Sequence, residues 1–472
     1  MKANRKKWIW ITGMALFPFA GISQKADTAG AVHQFSVQQA VDYAHKNNVQ
    51  VKNALLDVKI QQQTNREVTG NAYPHINGSV STTYNPNVAT QVLPNFISPA
   101  TYQVLVDEGV KDGNGNPIQM PNDFGFIAAQ FGTKYSATAG VSLSQILFDG
   151  QVFVGLKARN TLIYFQEKNA EITEETIKAN IYKIYYQLSV SKTQIELLDT
   201  NISMLNKLAH DTKIMYDNGF AEKLDMDKLS VQIANLNTEK INALNQVSNG
   251  YLGLKVLMGM PIKDSLILTD SLNDEQVKSG VLEAANFDYS QRKEYQYADL
   301  GIKLGEFDVR RYKMAKIPTL SLNGYYNKNA QRNKFNFLGK GDWFNISAAT
   351  VTLNIPIFNG FSNNARIEKA RLALQQSINQ REALKINIDN EIQTATNNFN
   401  SAIASLDYQK KNMNLAENIF QQTKKKFEVG TGSQTEINQA QTDMKAAQTN
   451  YINSLYNAII AKVDFLKATG KL

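Results

Sequence analysis

The side chains able to do covalent chemistry are few, and none is arranged for it. The chain has no cysteine, and its four histidines (33, 45, 75 and 210) are scattered, with no metal-ligand spacing. No glycine-rich phosphate loop, nucleophile elbow or zinc motif occurs. What recurs is a carboxylate six residues past a glycine: Asp225 after Gly219, and Glu436 after Gly430, 211 residues later. Asp227 follows the first acid, and Gln439 stands three residues past the second. Acids so placed open a helix and complement the positive end of its dipole. Neither catalysis nor a cofactor or metal is expected, and a surface hydrolase lacks any candidate nucleophile or carboxylate pair.

The same spacing organises the whole chain, which is written twice. Leu143-Ser-Gln-Ile-Leu-Phe-Asp-Gly150 returns as Leu353-Asn-Ile-Pro-Ile-Phe-Asn-Gly360, and Met215-Tyr-Asp-Asn-Gly219 returns as Lys426-Phe-Glu-Val-Gly430. Tyr73-Pro74 and Ile317-Pro318 begin the two units. A duplication this long implies two similar units packed about a pseudo-symmetry axis. The first repeat is assigned to 24–260 and the second to 280–472, with 261–279 linking them.

Proline maps the elements. All ten prolines fall at 18, 74, 86, 94, 99, 117, 121, 261, 318 and 356, so 122–260 and 357–472 are free of the residue a helix interior excludes. There Ile177, Ile181, Ile184, Leu188, Ser191 and Ile195 step by fours and threes, as do Ile388, Ile392, Ala395, Phe399, Ala402 and Leu406. That period implies supercoiled helices. Long helices are predicted over 152–216, 221–257, 362–427 and 434–469, with further helices over 36–70 and 280–315. At ~1.5 Å per residue the longest approach 100 Å, which argues for a barrel or bundle. Segments 75–85, 135–148, 319–327 and 345–357 alternate small polar with apolar or aromatic residues, the pattern of membrane-spanning strands. Loops 86–133 and 328–344 join them, and long loops on one barrel rim face the cell exterior.

Residues 1–23 read as an export signal: Lys2, Arg5, Lys6 and Lys7 precede an apolar run broken by Pro18, too short to span a membrane. Without cysteine, the exported chain is expected to be neither disulfide-bonded nor a lipoprotein. The charge of +8 falls to +4 once the signal's four cations are removed, which argues against nucleic acid as partner.

With these landmarks the chain resembles the outer-membrane efflux protein family, the TolC type, over nearly all of residues 24–472. The resemblance rests on the two-fold repeat, on the strand–helix junctions (Phe148, Asp149, Gly150; Pro356, Phe358, Asn359, Gly360) and on the tips Tyr216-Asp-Asn-Gly-Phe220 and Phe427-Glu-Val-Gly-Thr431. It implies a mixed α and β membrane protein: a homotrimer whose twelve-stranded transmembrane β-barrel, four strands per chain, continues as a long periplasmic α-helical coiled-coil barrel. It implies a channel-tunnel of tripartite efflux or type I secretion in a Gram-negative outer membrane, working with a periplasmic adaptor and an inner-membrane pump of RND or ABC type. Asp225, Asp227, Glu436 and Gln439 then fall at the periplasmic aperture, Gln439 standing where the family has an acid. Gly219, Phe220, Gly430, Thr431, Gly432 and Ser433 fall at the adaptor-docking tips. The competing expectation is an exported coiled-coil filament with a β-rich head, which needs neither uncharged alternating strands nor the same junction twice.

Overall fold

The computed structural model describes residues 30–270, 277–278, 287–339 and 341–472. The signal expected over 1–23, the start of the helix expected from 280, and parts of the 261–279 linker lie outside the described residues. The chain divides into two compact units, each drawing on three stretches of sequence.

One unit comprises 50–176, 280–398 and 464–472. Its centre is an antiparallel sheet of β2 (His75–Tyr84), β5 (Tyr135–Phe148), β7 (Thr319–Arg332) and β8 (Phe344–Asn354), in the order β2-β5-β7-β8. The strand expected over 319–327 is longer, because β7 continues along β5 as far as the pair Tyr135 and Arg332. The strand expected over 345–357 stops at Asn354, two residues short of Pro356, which has no N–H to give a ladder. The segment read as the loop 86–133 is built: β3 (Thr90–Pro94) pairs with β4 (Phe126–Gln130) around helix α3 (Ile97–Asp107). Pro99 lies in the first turn of α3, where its missing N–H costs nothing, and the Asn95 carboxamide oxygen accepts from Ser98 N–H at 3.0 Å. Proline and asparagine there set a helix start rather than disorder.

Packed in the same unit are α2 (Val49–Gly70), the opening turns of α4 (Gly150–Asp217), α6 (Lys293–Met314) and the opening turns of α7 (Ser362–Glu428). Ala54 and Val58 of α2 meet Ala170 of α4. Two turns further along α2, Asn65 donates to Arg159 O at 2.8 Å, and Arg159 donates to Thr69 Oγ1 at 2.6 Å.

The other unit comprises 1–49, 177–279 and 399–463. Leu205, Leu208, Leu229, Leu236, Phe420, Ile437 and Met444 form its main core, from the remainder of α4 and α7 with α5 (Lys223–Met258) and α8 (Gln434–Ala468). The period read from sequence lies inward: Ile177, Ile181, Leu188, Ile388, Ala395, Phe399 and Leu406 are buried, and the other members of the two series are half-buried.

The helix expected over 36–70 is broken. It forms α1 (Val37–Asn47) and α2, separated by Asn48 in extended conformation. Asn48 is buried and donates to Leu257 O at the end of α5 (2.6 Å), a tertiary bond that no local pattern announces. The linker holds a strand, β6 (Ser265–Leu268), parallel to β1 (Val32–Phe35). Tyr185 on α4 fastens this pair. Its fully buried hydroxyl donates to Phe35 O (2.9 Å) and accepts from Asp270 N–H (3.1 Å), while the Asp270 carboxylate accepts from Val37 N–H at the start of α1 (2.8 Å).

Removing that hydroxyl leaves the half-buried Asp270 N–H without its partner, a cost of about 1–3 kcal/mol, while Phe35 O keeps its bond from Thr269 N–H (3.1 Å). Tyr185→Phe is expected to lower the unfolding free energy by that amount and to make residues 30–36 protease-sensitive. Tyr182→Phe, whose hydroxyl makes only a 3.4 Å contact with Gln38, is expected to stay within about 0.5 kcal/mol of wild type.

Candidate functional site

At the tips, α4 and α7 end alike. Gly219 N–H donates to Tyr216 O and Phe220 N–H to Met215 O; Gly430 N–H donates to Phe427 O and Thr431 N–H to Lys426 O. These are paired Schellman closures, and they require the left-handed glycines (φ 83° and 76°). Gly432 N–H and the Thr431 hydroxyl add further bonds to Lys426 O. Phe220 is 80% exposed and Val429 73% exposed, so an apolar side chain stands bare at each tip. Sequence reasoning named Phe220 and missed Val429, because valine before the tip glycine reads as the last residue of a helix seam.

The acids stand in the next turn. Asp225 closes a capping box with Glu222: Glu222 N–H reaches Asp225 Oδ2 at 3.4 Å, and Lys228 lies 3.9 Å away. Glu436 does the same with Ser433, whose hydroxyl accepts from Glu436 N–H (3.2 Å) while Ser433 N–H donates to Glu436 Oε2 (3.4 Å). The six-residue spacing is thus the length of a Schellman turn plus a capping box. Both acids serve the helix dipole. Asp227 is exposed, and Gln439, also exposed, donates to Asp443 at 2.9 Å. Above the tips Asn201 of α4 donates to Gln448 of α8 at 2.7 Å inside the apolar core, a polar layer of the kind that fixes register at a cost in stability.

In the sheet-bearing unit, register sorts the strand residues. Ser79, Ser81, Thr138, Ser142, Asn323 and Thr350 share one face. Val80, Val141, Leu322, Tyr326, Val351 and Leu353 share the other. Among the described residues most of the apolar face is uncovered: Val80 is 86% exposed and Val351 62%, and every residue of β2 and β8 is exposed, whereas Ala137 and Ala330 of the inner strands are buried. The charges on that face, Lys328 and Arg332, lie in the last five residues of β7. Tyr84 and Tyr135 stack at 4.8 Å at the same end.

The two junctions use their glycines for different reasons. Asp149 caps α4 by accepting from Gln151 N–H (2.8 Å), and Gly150 gives room to Ile317, whose Cδ1 would lie 2.7 Å from an added Cβ. Gly360 (φ 62°) and Phe361 (φ 65°) instead turn the chain through two left-handed residues after Pro356. Phe358, Asn359 and Gly360 are exposed there.

A charged cluster that sequence reasoning missed lies lower in this unit. Arg292, only 4% exposed, donates to Glu391 (2.9 Å), Glu294 (3.1 Å) and Ala468 O (2.9 Å). Burial works against its charge, but the two carboxylates outweigh it and hold its pKa above the usual value. Glu175 nearby is pushed up, first by burial and then by repulsion from Glu294. A lone arginine before a helix gives no sequence signal of such a node.

Comparison with known proteins follows from this geometry. Residues 291–471 match the family described as outer membrane efflux protein. The chain is 19% identical over 340 residues to outer membrane protein TolC of Vibrio cholerae, covering 71% of this chain and 77% of that protein. It is 20% identical over 344 residues to the outer membrane efflux protein BepC of Brucella suis, covering 72% and 73%. Among solved structures, CusC superposes with a TM-score of 0.73 at 16% identity, covering 95% of each chain. VceC of Vibrio cholerae gives 0.68 at 13% identity, covering 92% and 96%. The fold is therefore that of these outer-membrane channels.

A carboxylate whose folded pKa is raised above its unfolded value weakens the fold while ionised, and that penalty fades as pH falls through the folded pKa. Glu175→Gln is therefore expected to raise the melting temperature at pH 7. The gain should shrink as the pH is lowered toward the ordinary carboxylate range, where wild type takes up its proton. Thermal unfolding in detergent across pH reads both.

Proposed function

Because the chain is a relative of the outer membrane efflux proteins, we propose that it forms a passive, trimeric channel-tunnel. It carries substrates delivered by an inner-membrane pump of RND or ABC type, through a periplasmic adaptor, across the outer membrane of a Gram-negative bacterium.

The observation that carries this reading is the sheet. Among the described residues it has one largely uncovered apolar face, one polar face and no partner on the outer edges of β2 and β8. In lipid, unpaired edge groups have no water to bond, so such a sheet must close. Four strands fall below the eight of the smallest membrane barrels, and three copies supply twelve. The apolar face then meets lipid and the polar face lines the passage. A filament needs none of this.

The proposed duplication is supported by paired contacts: Asn48 donates to Leu257 O as Arg292 donates to Ala468 O, the donors 244 and the acceptors 211 residues apart. At the tips, three copies of Asp225 and Glu436, with Asp227 and Gln439 nearby, would ring a cation-attracting constriction. The bare Phe220 and the small residues Gly430 to Ser433, with Gly219, offer the adaptor a close approach.

Detergent-solubilised protein is expected to have the mass of three chains and to conduct in planar bilayers with a cation preference. Asp225→Asn with Glu436→Gln should lower that preference severalfold while leaving the trimer intact. A folded, detergent-free monomer refutes the reading; unchanged selectivity refutes only the constriction.

A further inference from the structure

Charge in the sheet-bearing unit is concentrated where the strands become helices. The segments 149–159, 306–316 and 362–371 hold nine basic and four acidic side chains, a surplus of five. Residues 24–472 as a whole carry a surplus of four, so this band accounts for all of it and the remainder is slightly acidic. Each segment abuts a strand: α4 opens after β5, α6 closes before β7, and α7 opens after β8. At ~1.5 Å per helical residue, Lys157, Arg310, Lys313, Arg366 and Lys369 stand within about 10 Å of their helix ends, roughly one Debye length.

Three of the four acids in the band are engaged with near neighbours: Asp308 with Arg311 (3.1 Å), Glu368 with Arg371 (3.2 Å), and Asp149 with the backbone of α4; the fourth, Glu306, is exposed on α6. Lys157, Arg310, Lys313, Arg366 and Lys369 are exposed, and among the described residues none has an ion-pair partner. Lys313, Lys316 and Arg371 line an open cleft of about 590 Å³ between α6 and α7, a size that admits a phosphate headgroup. Between these cations and the apolar sheet face lies a tier of exposed aromatics: Tyr73, Phe148, Phe153, Phe358 and Phe361. Apolar face, aromatic tier and unpaired cations, in that order, match hydrocarbon, interface and anionic headgroup.

We infer that this basic collar binds the phosphate groups of anionic phospholipids in the leaflet facing the helices, chiefly through Lys313, Arg366 and Lys369. The inference rests on the membrane-channel reading and adds a lipid preference to it. Its physical basis is ordinary: each cation near an anionic surface is worth a severalfold gain in affinity, and the collar presents several in every copy.

The test reconstitutes the full chain into phosphatidylcholine bilayers with and without phosphatidylglycerol, then measures phosphatidylglycerol retained on the protein by native mass spectrometry. Wild type is expected to enrich phosphatidylglycerol over the bulk by about tenfold, and high salt should abolish this. The triple variant Lys313→Gln, Arg366→Gln, Lys369→Gln should lose it, whereas Lys411→Gln, Lys425→Gln, Lys426→Gln at the far end of α7, with the same charge change, should keep it. Equal enrichment in wild type and collar variant, equal loss in both triple variants, or salt-insensitive enrichment overturns the collar while leaving the channel standing. Failure of wild type to insert into either bilayer overturns the channel reading and this inference with it.

Discussion

A backbone N–H or C=O that faces hydrocarbon finds no water, and an unpaired one costs several kcal/mol. In the proposed membrane setting the four-strand sheet is subject to that constraint. Its inner strands β5 and β7 are paired on both sides, and among the described residues its outer strands β2 and β8 each have one free edge. An edge of ten or more exposed residues is a template for another strand, and soluble proteins blunt such edges with charge or proline. Here β2 and β8 carry neither within the ladder, apart from His75 at one end. The absence of blunting fits strands that pair with further copies of themselves.

The helices meet the same constraint locally. Each long helix satisfies its interior by itself and needs help only at its ends. The tips supply that help with two Schellman closures and two capping boxes, so glycine, serine and acid positions are set by hydrogen bonding before any partner is considered. That is why the acids and glycines of the two tips recur with such regular spacing. The capping role and the proposed roles at the constriction and docking surface share the same atoms. A carboxylate needed to close a helix end is also a fixed charge, and a glycine needed for a left-handed turn also leaves space. Mutations there read both effects.

Between sheet and helices the chain changes its chemistry within a few residues. Aromatics give way to cations around the junction glycines, while the buried Arg292 cluster ties the C-terminal end of α8 to α6 and α7. The collar and the cluster differ in kind. Arg292 is desolvated and held by paired carboxylates, so removing one partner strands a charge. Five of the collar's cations, Lys157, Arg310, Lys313, Arg366 and Lys369, are exposed and have no ion pair among the described residues, so they are free to meet an external anion.

Periodicity and punctuation determined most of the elements. The exclusion of proline, the four-and-three apolar steps and the strict alternation of 135–148 locate α4, α7, α8 and β5 to within a residue or two, because each pattern is a local requirement of its backbone. The tip closures were legible for the same reason. What needed tertiary structure was whatever depends on residues distant in sequence. Asn48 leaves the helix to bond Leu257, β1 and β6 pair across more than 200 residues, and Tyr185 bolts them to α4. The 86–133 segment folds because β3 finds β4 around α3. The two faces of the sheet were implicit in the alternation, but only the register showed that four separate polar series line up on one side, because a single slipped residue would have sent any of them to the other.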